Sequence, residues 1–153
     1  MTEAKSMAKG LYFEDFKVEG VFETESRTVT ESDIINFAGL TGDWNSLHTD
    51  AEYAKTTTYG ERIAHGLLGL AISSGLAVRS GIYDGTLVGF LGMEWKFTQP
   101  IKIGDTIRQR SIVRETKETS KPDRGVVVFA IQVLNQRNEV VQEGTRTVMM
   151  KRR

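Results

Sequence analysis

Three residues of the sequence are of types that carry general acid and base chemistry: the only two histidines, His48 and His65, and an aspartate, Asp43, which precedes His48 by five positions. A carboxylate and an imidazole on one short loop can share a water molecule, and acid–base catalysis on water requires such an arrangement. The alternative is a simple turn, because Asp and Asn side chains in a Gly-Asp-x-Asn sequence bond their own backbone. The spacing alone leaves both interpretations open.

Composition excludes several other kinds of chemistry. The chain contains no cysteine, which excludes a disulfide framework, a thiolate metal site and a cysteine nucleophile. Two histidines without a cysteine make a poor ligand set for zinc, so we predict a site without a metal. No glycine-rich dinucleotide fingerprint follows a strand-like segment, so we predict no nucleotide cofactor either.

The length of 153 residues is typical of one domain. Lys and Arg together number 20, as do Asp and Glu, and this balance argues against a dedicated nucleic-acid binder. We expect the basic end, residues 151–153, to be solvated. The first residues lack the apolar core of a secretory signal, and the charge-free run at 63–78 is too short and too polar to span a membrane. We therefore expect a soluble, cytoplasmic protein with a flexible N-terminus at 1–10 and one domain at 11–153.

Helices in the first half of the chain must position the two histidines. Thr30 begins a capping box, which predicts a helix directly after it. Residues 41–49 form a loop by composition, and Asp50 is a candidate cap for a short helix at 51–56. Residues 66–78 carry no charge and are apolar nearly all round. This pattern predicts a helix that is buried on most sides.

The remaining sequence is β-like. Predicted strands are residues 22–29, 91–97, 106–116, 126–134 and 140–150. About five mostly antiparallel strands and one apolar helix indicate an α+β domain in which a curled sheet wraps the helix, the hot-dog arrangement. The open edges of such a sheet, and the apolar character of both faces at 126–134, favour a homodimer.

One stretch carries a family resemblance. Residues 37–48 read Phe-Ala-Gly-Leu-Thr-Gly-Asp-Trp-Asn-Ser-Leu-His and resemble the signature of the MaoC-like dehydratases, the (R)-specific enoyl-CoA hydratase family. The core of that signature is a small residue followed by Gly-Asp-x-Asn-Pro-aliphatic-His. The resemblance continues with Ile-Ala-His-Gly at 63–66 and a helix carrying Ser-Ser-Gly at 73–75. In element order it covers about 20–140. Ser46 replaces the proline that would stiffen the loop.

The resemblance implies roles for individual residues. Asp43 and His48 match the catalytic pair, which activates one water and delivers a proton. Asn45 matches a loop residue that holds the turn, and we group it with the substrate-binding residues. Ser74 matches a serine of the active site, although a serine on a packed helix also bonds the carbonyl one turn back. His65 stands just before the helix, where packing and backbone bonding are favoured over catalysis.

Gly66 opens the charge-free helix, and its position suggests a further binding group. The N-terminus of a helix carries partial positive charge, which suits the thioester oxygen of an acyl substrate. The alternative is that glycine merely permits a tight turn into the helix.

The implied reaction is the reversible hydration of trans-2-enoyl-CoA to (R)-3-hydroxyacyl-CoA, a carbon–oxygen lyase reaction of fatty acid metabolism. Coenzyme A is part of the substrate, and no separate cofactor is implied. The resemblance also implies a homodimer, or larger assemblies of dimers, without a nucleic-acid or membrane partner. Two alternatives remain: a hot-dog acyl-CoA thioesterase, and a non-catalytic protein that binds acyl-CoA or regulates another protein.

Overall fold

The computed structural model describes residues 10–153, which form one antiparallel sheet of six strands with helices packed against it. A 3₁₀ turn at Phe13–Asp15 precedes the first strand. The strands are β1 (Val21–Glu23), β2 (Arg27–Thr28), β3 (Leu87–Phe97), β4 (Thr106–Glu118), β5 (Arg124–Leu134) and β6 (Val140–Lys151). The helices are α1 (Glu31–Thr41), α2 (Ser46–Thr49), α3 (Ala51–Lys55) and α4 (Gly66–Arg79). The flexible N-terminus expected at 1–10 falls on residues that, except for Gly10, lie outside the described part.

The strand order is β1-β4-β5-β6-β3, with β2 also paired to β4. The sheet has a sixth strand because the segment predicted as one strand, 22–29, forms both β1 and β2. Thr24 interrupts it: its N–H donates to the Gln109 carbonyl at 3.0 Å, and its hydroxyl accepts from the Gln109 N–H at 2.9 Å. The side-chain oxygen thus takes the place of a backbone acceptor, and the regular ladder stops there.

The capping box predicted at Thr30 is present. The Thr30 hydroxyl accepts from the Asp33 N–H at 3.2 Å, and the Asp33 carboxylate accepts from the Thr30 N–H at 2.9 Å. Helix α1 ends at Thr41 and is capped by Gly42, whose φ of +80° lies in the left-handed region that glycine adopts without strain. This glycine turns the chain into the loop that carries Asp43.

Helix α4 buries one face and exposes the other. Leu68, Ile72 and Leu76 pack into the core, and the buried Ser73 hydroxyl donates to the Gln109 side-chain oxygen at 2.6 Å. On the opposite face Leu67 is 60% exposed and Val78 is 51% exposed. The prediction of a helix buried on most sides is therefore wrong for a single chain, because residues 10–153 provide no cover for this second apolar face. No helix in this range is long and apolar enough to cross a membrane.

The basic C-terminal end is not a free solvated tail. Arg152 lies 3.3 Å from a Glu14 carboxylate oxygen and 3.2 Å from one of Glu118. Arg153 forms a two-bond pair with Asp15 at 2.9 and 2.8 Å. These contacts join the end of β6 to the 3₁₀ turn. The Arg153 guanidinium, together with the Tyr12 N–H, holds the pKa of Asp15 below its ordinary value of 3.8.

Removal of this pair should weaken the fold in a pH-dependent way. A carboxyl whose pKa is lowered by folding contributes stability above its unfolded pKa, and this contribution is lost as the pH falls through its folded pKa. We expect Arg153→Ala to lower the unfolding temperature at pH 7. The difference in unfolding temperature between this variant and the parent should shrink as the pH falls below 3.8, the ordinary pKa of Asp15, because the carboxyl then becomes protonated. Thermal unfolding of both proteins across pH measures this difference.

Lys55→Ala is the matched control for this prediction. Lys55 pairs with Glu52 at 2.7 Å within one short helix, with both side chains mostly exposed, and such pairs contribute little. The control should unfold close to the parent at every pH. If the difference in unfolding temperature between Arg153→Ala and the parent stays constant as the pH falls, the ion pair with Asp15 is not the cause of the loss.

Candidate active site

The loop between α1 and α3 is held by its own side chains. Asn45 caps α2, because its side-chain oxygen accepts from the Leu47 N–H at 2.9 Å. The Thr49 hydroxyl donates to the carbonyls of Trp44 and Asn45, each at 3.1 Å. The one-turn helix α2 was not expected from a loop-like composition. Its effect is to turn the chain so that His48 faces back toward residues 63–65.

His48 is fixed by one of its two ring nitrogens. Its Nδ1 lies 2.7 Å from the carbonyl oxygen of Ile63. A carbonyl only accepts hydrogen bonds, so in the neutral imidazole this contact puts the proton on Nδ1 and the lone pair on Nε2. The second nitrogen is therefore the one available to a water molecule or a substrate.

The structure brings together Asp43, His48 and His65. One carboxylate oxygen and one nitrogen from each imidazole all lie within 4.8 Å of one another. Two acceptors at that separation can share one water, since each bond to the water spans about 2.8 Å at a broad angle. The exposed Asp43 side chain also accepts from the Asn45 N–H at 3.3 Å. The geometry thus permits the water-activating pair that the sequence suggested.

His65 joins this pair from the start of α4. It is 2% exposed, and its Nε2 lies 2.9 Å from the Asp43 carbonyl oxygen. The expected packing and backbone bond are both seen, but the bond is to the loop that carries Asp43 and His48. A carboxylate and two imidazoles are also donor types that zinc accepts, and sequence spacing did not show that the third group would be near. The metal-free site stays a prediction.

A cleft of about 650 Å³ opens beside His48. Its walls are largely apolar and include the first residues of α4 and the end of β3. They are formed by His48, Tyr59, Ile63, Ala64, Gly66, Leu67, Phe97, Thr98, Gln99, Pro100, Ile101 and Gln142. A cleft of this size, with few polar groups at one end, is suited to a small organic ligand.

Gly66 is the first residue of α4 and lies in the wall of this cleft. A side chain here would place its Cβ 2.7 Å from the Phe97 ring, so the glycine permits a close contact between helix and strand. The Gly66 N–H has no hydrogen-bond partner within 10–153. Close packing is thus a reason for the glycine that the sequence did not show, and the amide remains available to a ligand.

Gln142 is a buried polar residue of the cleft that sequence analysis missed. Its amide N–H donates to the Gly66 carbonyl at 3.0 Å, and its oxygen accepts from the Trp95 ring N–H at 3.0 Å. The side chain passes where a Cβ on Gly69 would collide with it. Two features of the sequence could have indicated this contact: a glutamine at a buried position of a strand, and a glycine within an apolar helix.

Ser74 lies two turns beyond Gly66 on α4, where it is half-buried. It is not part of the cleft wall. The structure of one chain therefore does not bring Ser74 together with Asp43 and His48. The neighbouring Ser73 makes the buried side-chain hydrogen bond of this helix.

Ser46, the departure from the family signature, occupies the first residue of α2. Proline is well tolerated at this position, and Asn45 before it has φ −52° and ψ 134°, a conformation compatible with a following proline. We expect Ser46→Pro to raise the free energy of unfolding by about 0.4–1 kcal/mol through the unfolded state. Chemical denaturation against a Ser46→Ala control measures the gain, and a less stable proline variant would contradict it.

Comparisons with known proteins identify relatives of this chain. The MaoC-like domain family model matches residues 15–135. An (R)-specific enoyl-CoA hydratase from Rhodospirillum rubrum is 37% identical over 139 residues, which cover 91% of each chain. The X-ray structure of a monoamine oxidase regulatory protein from Archaeoglobus fulgius superimposes with a TM-score of 0.88 at 37% identity, covering 96% of this chain and 99% of that one.

A more distant structure bears on the fold alone. A Mycobacterium tuberculosis protein with a double hot-dog fold matches with a TM-score of 0.84 at 18% identity, covering 94% of this chain and 45% of that one. The α+β hot-dog fold predicted from the sequence is therefore confirmed. The family match extends over most of the chain, including the loop with Asp43 and the start of α4. The chain belongs to the MaoC-like dehydratase family.

Proposed function

We propose that this chain, with residues 11–153 as a single domain, catalyses the reversible hydration of trans-2-enoyl-CoA to (R)-3-hydroxyacyl-CoA. The observation that carries the proposal is that Asp43 and His48 lie close enough to bind one water. Beside them is an apolar cleft whose wall includes the N-terminus of α4. The hydratase named among the relatives supports the reaction class.

The Asp43 carboxylate and the lone pair on His48 Nε2 each accept a hydrogen bond from the same water. The water oxygen attacks C3 of the enoyl group: the C3–O bond forms, the C2=C3 π bond breaks, and its electron pair moves toward the thioester oxygen. Asp43 acts as the base that takes the released proton, and His48 shares the water and helps to deliver the proton. That proton is then delivered to C2, so water adds as a hydroxyl on C3 and a hydrogen on C2. Because one water supplies both from one side, the addition is syn.

Negative charge develops on the thioester oxygen as C3 is attacked. The Gly66 N–H lies at the positive end of a 14-residue helix, where a fixed donor stabilises such charge without reorganisation. The cleft beside it holds the acyl thioester, and coenzyme A enters only as part of the substrate. The proposed steps use acid–base groups throughout, and none of them uses a metal or a redox cofactor.

A direct assay separates this function from its alternatives. Loss of the absorbance of the conjugated enoyl thioester reports hydration, chiral analysis reports the configuration of the product, and a thiol reagent reports hydrolysis. We expect hydration without thiol release, over a panel of short, long, branched and dicarboxylic enoyl-CoAs. Thiol release would identify a thioesterase instead.

The non-catalytic alternative has support from one comparison, since the similar archaeal structure is of a monoamine oxidase regulatory protein. An intact pair of Asp43 and His48 favours catalysis over regulation. Binding of acyl-CoA without turnover of any member of the panel would support the regulatory function and contradict the hydratase.

We further propose a homodimer formed through the β3 edge of the sheet. Strand β3 is unpaired on one side within the described range, and it carries exposed apolar residues, of which Phe90, Leu91 and Phe97 are each more than half exposed. The uncovered α4 residues Leu67 and Val78 add further apolar surface. Exposed large apolar side chains of this kind are typical of a protein interface.

Light scattering should give a mass twice the 17.1 kDa of one chain. A charge in the middle of the edge, introduced by Leu91→Lys, should yield the single-chain mass. Val21→Lys places the same charge on the exposed opposite edge strand, β1, and should leave the dimer intact. A parent that is monomeric at micromolar concentration contradicts the dimer, and a Leu91→Lys protein that stays dimeric contradicts the proposed edge.

A further inference from the structure

His65 is placed where a helix is usually capped by a short polar side chain, yet it does not cap α4. It precedes the first residue of the helix, and its imidazole makes no capping bond to the helix backbone. Its own carbonyl accepts from the N–H groups of Leu68 and Gly69, which satisfies part of the helix start. The imidazole is therefore free to serve another purpose.

That imidazole bonds the backbone of the loop that carries Asp43 and His48. Nε2 of His65 lies 2.9 Å from the carbonyl oxygen of Asp43, 22 residues earlier in the chain. Because a carbonyl only accepts, the neutral His65 ring carries its proton on Nε2 and its lone pair on Nδ1. Nδ1 is buried and has no hydrogen-bond partner in the described chain.

The same ring also supports the second catalytic residue. Its centroid is 3.9 Å from that of the His48 ring, with an angle of 31° between the planes. Phe37 packs against the ring as well, with the centroids 4.9 Å apart. His65 thus contacts the backbone of Asp43 and the side chain of His48, although it is not part of the cleft wall.

Packing alone does not account for a histidine here. A buried polar atom without a partner is unfavourable, and an apolar ring of similar size would fill the space without that cost. What the histidine provides beyond a phenylalanine is one donor, and that donor is used on Asp43. On the basis of the hydration function proposed above, we infer that His65 is a positioning residue: as the neutral Nε2–H tautomer it holds Asp43 and His48 on the same water.

Two substitutions separate the donor from the ring. His65→Phe keeps an aromatic ring and removes the donor, whereas His65→Gln removes the ring and keeps an N–H donor at a similar reach. We expect His65→Phe to lower kcat by about 10², the scale of loss that a misplaced catalytic group causes. His65→Gln should recover at least about tenfold of this loss, with KM within about threefold of the parent in both variants.

Phe37→Leu is the matched control, because Phe37 packs against the same imidazole without bonding the loop. Its kcat should stay within about threefold of the parent. A folded His65→Phe protein with parental kcat overturns the proposal, as does a folded His65→Gln protein that is no better than His65→Phe. If His65 were purely structural, its substitutions would change stability, and the amide donor of His65→Gln would not restore kcat.

A second measurement does not depend on activity or on a variant that folds. The chain has only two histidines, so a long-range ¹H–¹⁵N spectrum of the labelled parent contains two imidazoles. We expect a protonated Nε2 on His65 and a protonated Nδ1 on His48. A proton on Nδ1 of His65 overturns the proposal. A parent that hydrates no enoyl thioester contradicts the proposed function instead, while this spectrum still decides whether His65 bonds Asp43.

Discussion

Asp43→Asn and His48→Asn will each lower kcat by about 10²–10⁴, the usual contribution of a general acid or base. The structure makes these substitutions informative. Asp43→Asn keeps a side-chain oxygen for the Asn45 N–H, which bonds Asp43 at 3.3 Å, and removes only the basic charge. His48→Asn keeps a side-chain donor for the Ile63 carbonyl, which lies 2.7 Å from His48 Nδ1, and removes Nε2. His48→Ala removes both nitrogens and the packing against His65, and should cost at least as much.

The double variant tests whether both groups act on one water. If they do, the loss in the double variant will be much smaller than the product of the single losses, because removal of either group already disables the shared water. Asp50→Asn is the control, since Asp50 only caps α3 and asparagine caps equally well. A folded Asp43→Asn protein that turns over near the parental rate would exclude Asp43 as the base.

Local sequence patterns predicted most of the fold, because the features they indicate depend on residues that are close together in the sequence. The capping box at Thr30 and the cap at Asp50 each depend on neighbours in sequence, and the structure contains both. The break between β1 and β2 depends instead on Thr24 meeting Gln109 across the sheet. A contact between residues 85 positions apart leaves no signal in the pattern of a single strand.

In the candidate active site, too, contacts within one loop were predicted and contacts between distant segments were not. Asp43 and His48 were predicted together because they share a loop, whereas the bond from His65 to Asp43 arises only when the start of α4 packs against that loop. The apolar face of α4 shows a different limit: a charge-free helix predicts burial, but the sequence cannot distinguish burial by its own chain from burial by a second one. Leu67 and Val78 are exposed in one chain, and we propose that a second chain covers them.

Gly66→Pro will remove the donor that we assign to the thioester oxygen. Gly66 is the first residue of α4, where proline is favoured, and His65 before it has φ −55° and ψ 136°, which a following proline permits. Loss of one such donor costs roughly 10²–10³ in kcat. The structure adds a complication, because the Cβ of any residue placed here would lie 2.7 Å from the Phe97 ring.

Gly66→Ala resolves that complication, because it adds the same Cβ and keeps the N–H. Both variants place the same Cβ against the Phe97 ring, so the steric cost of the Cβ cancels when the two are compared. The alanine variant should lose little kcat, and the proline variant should fall a further factor of roughly 10²–10³ below it, with both proteins folded and of parental mass. If the two variants lose activity equally, the defect comes from the displaced Phe97 ring, and the Gly66 amide does not stabilise the thioester oxygen.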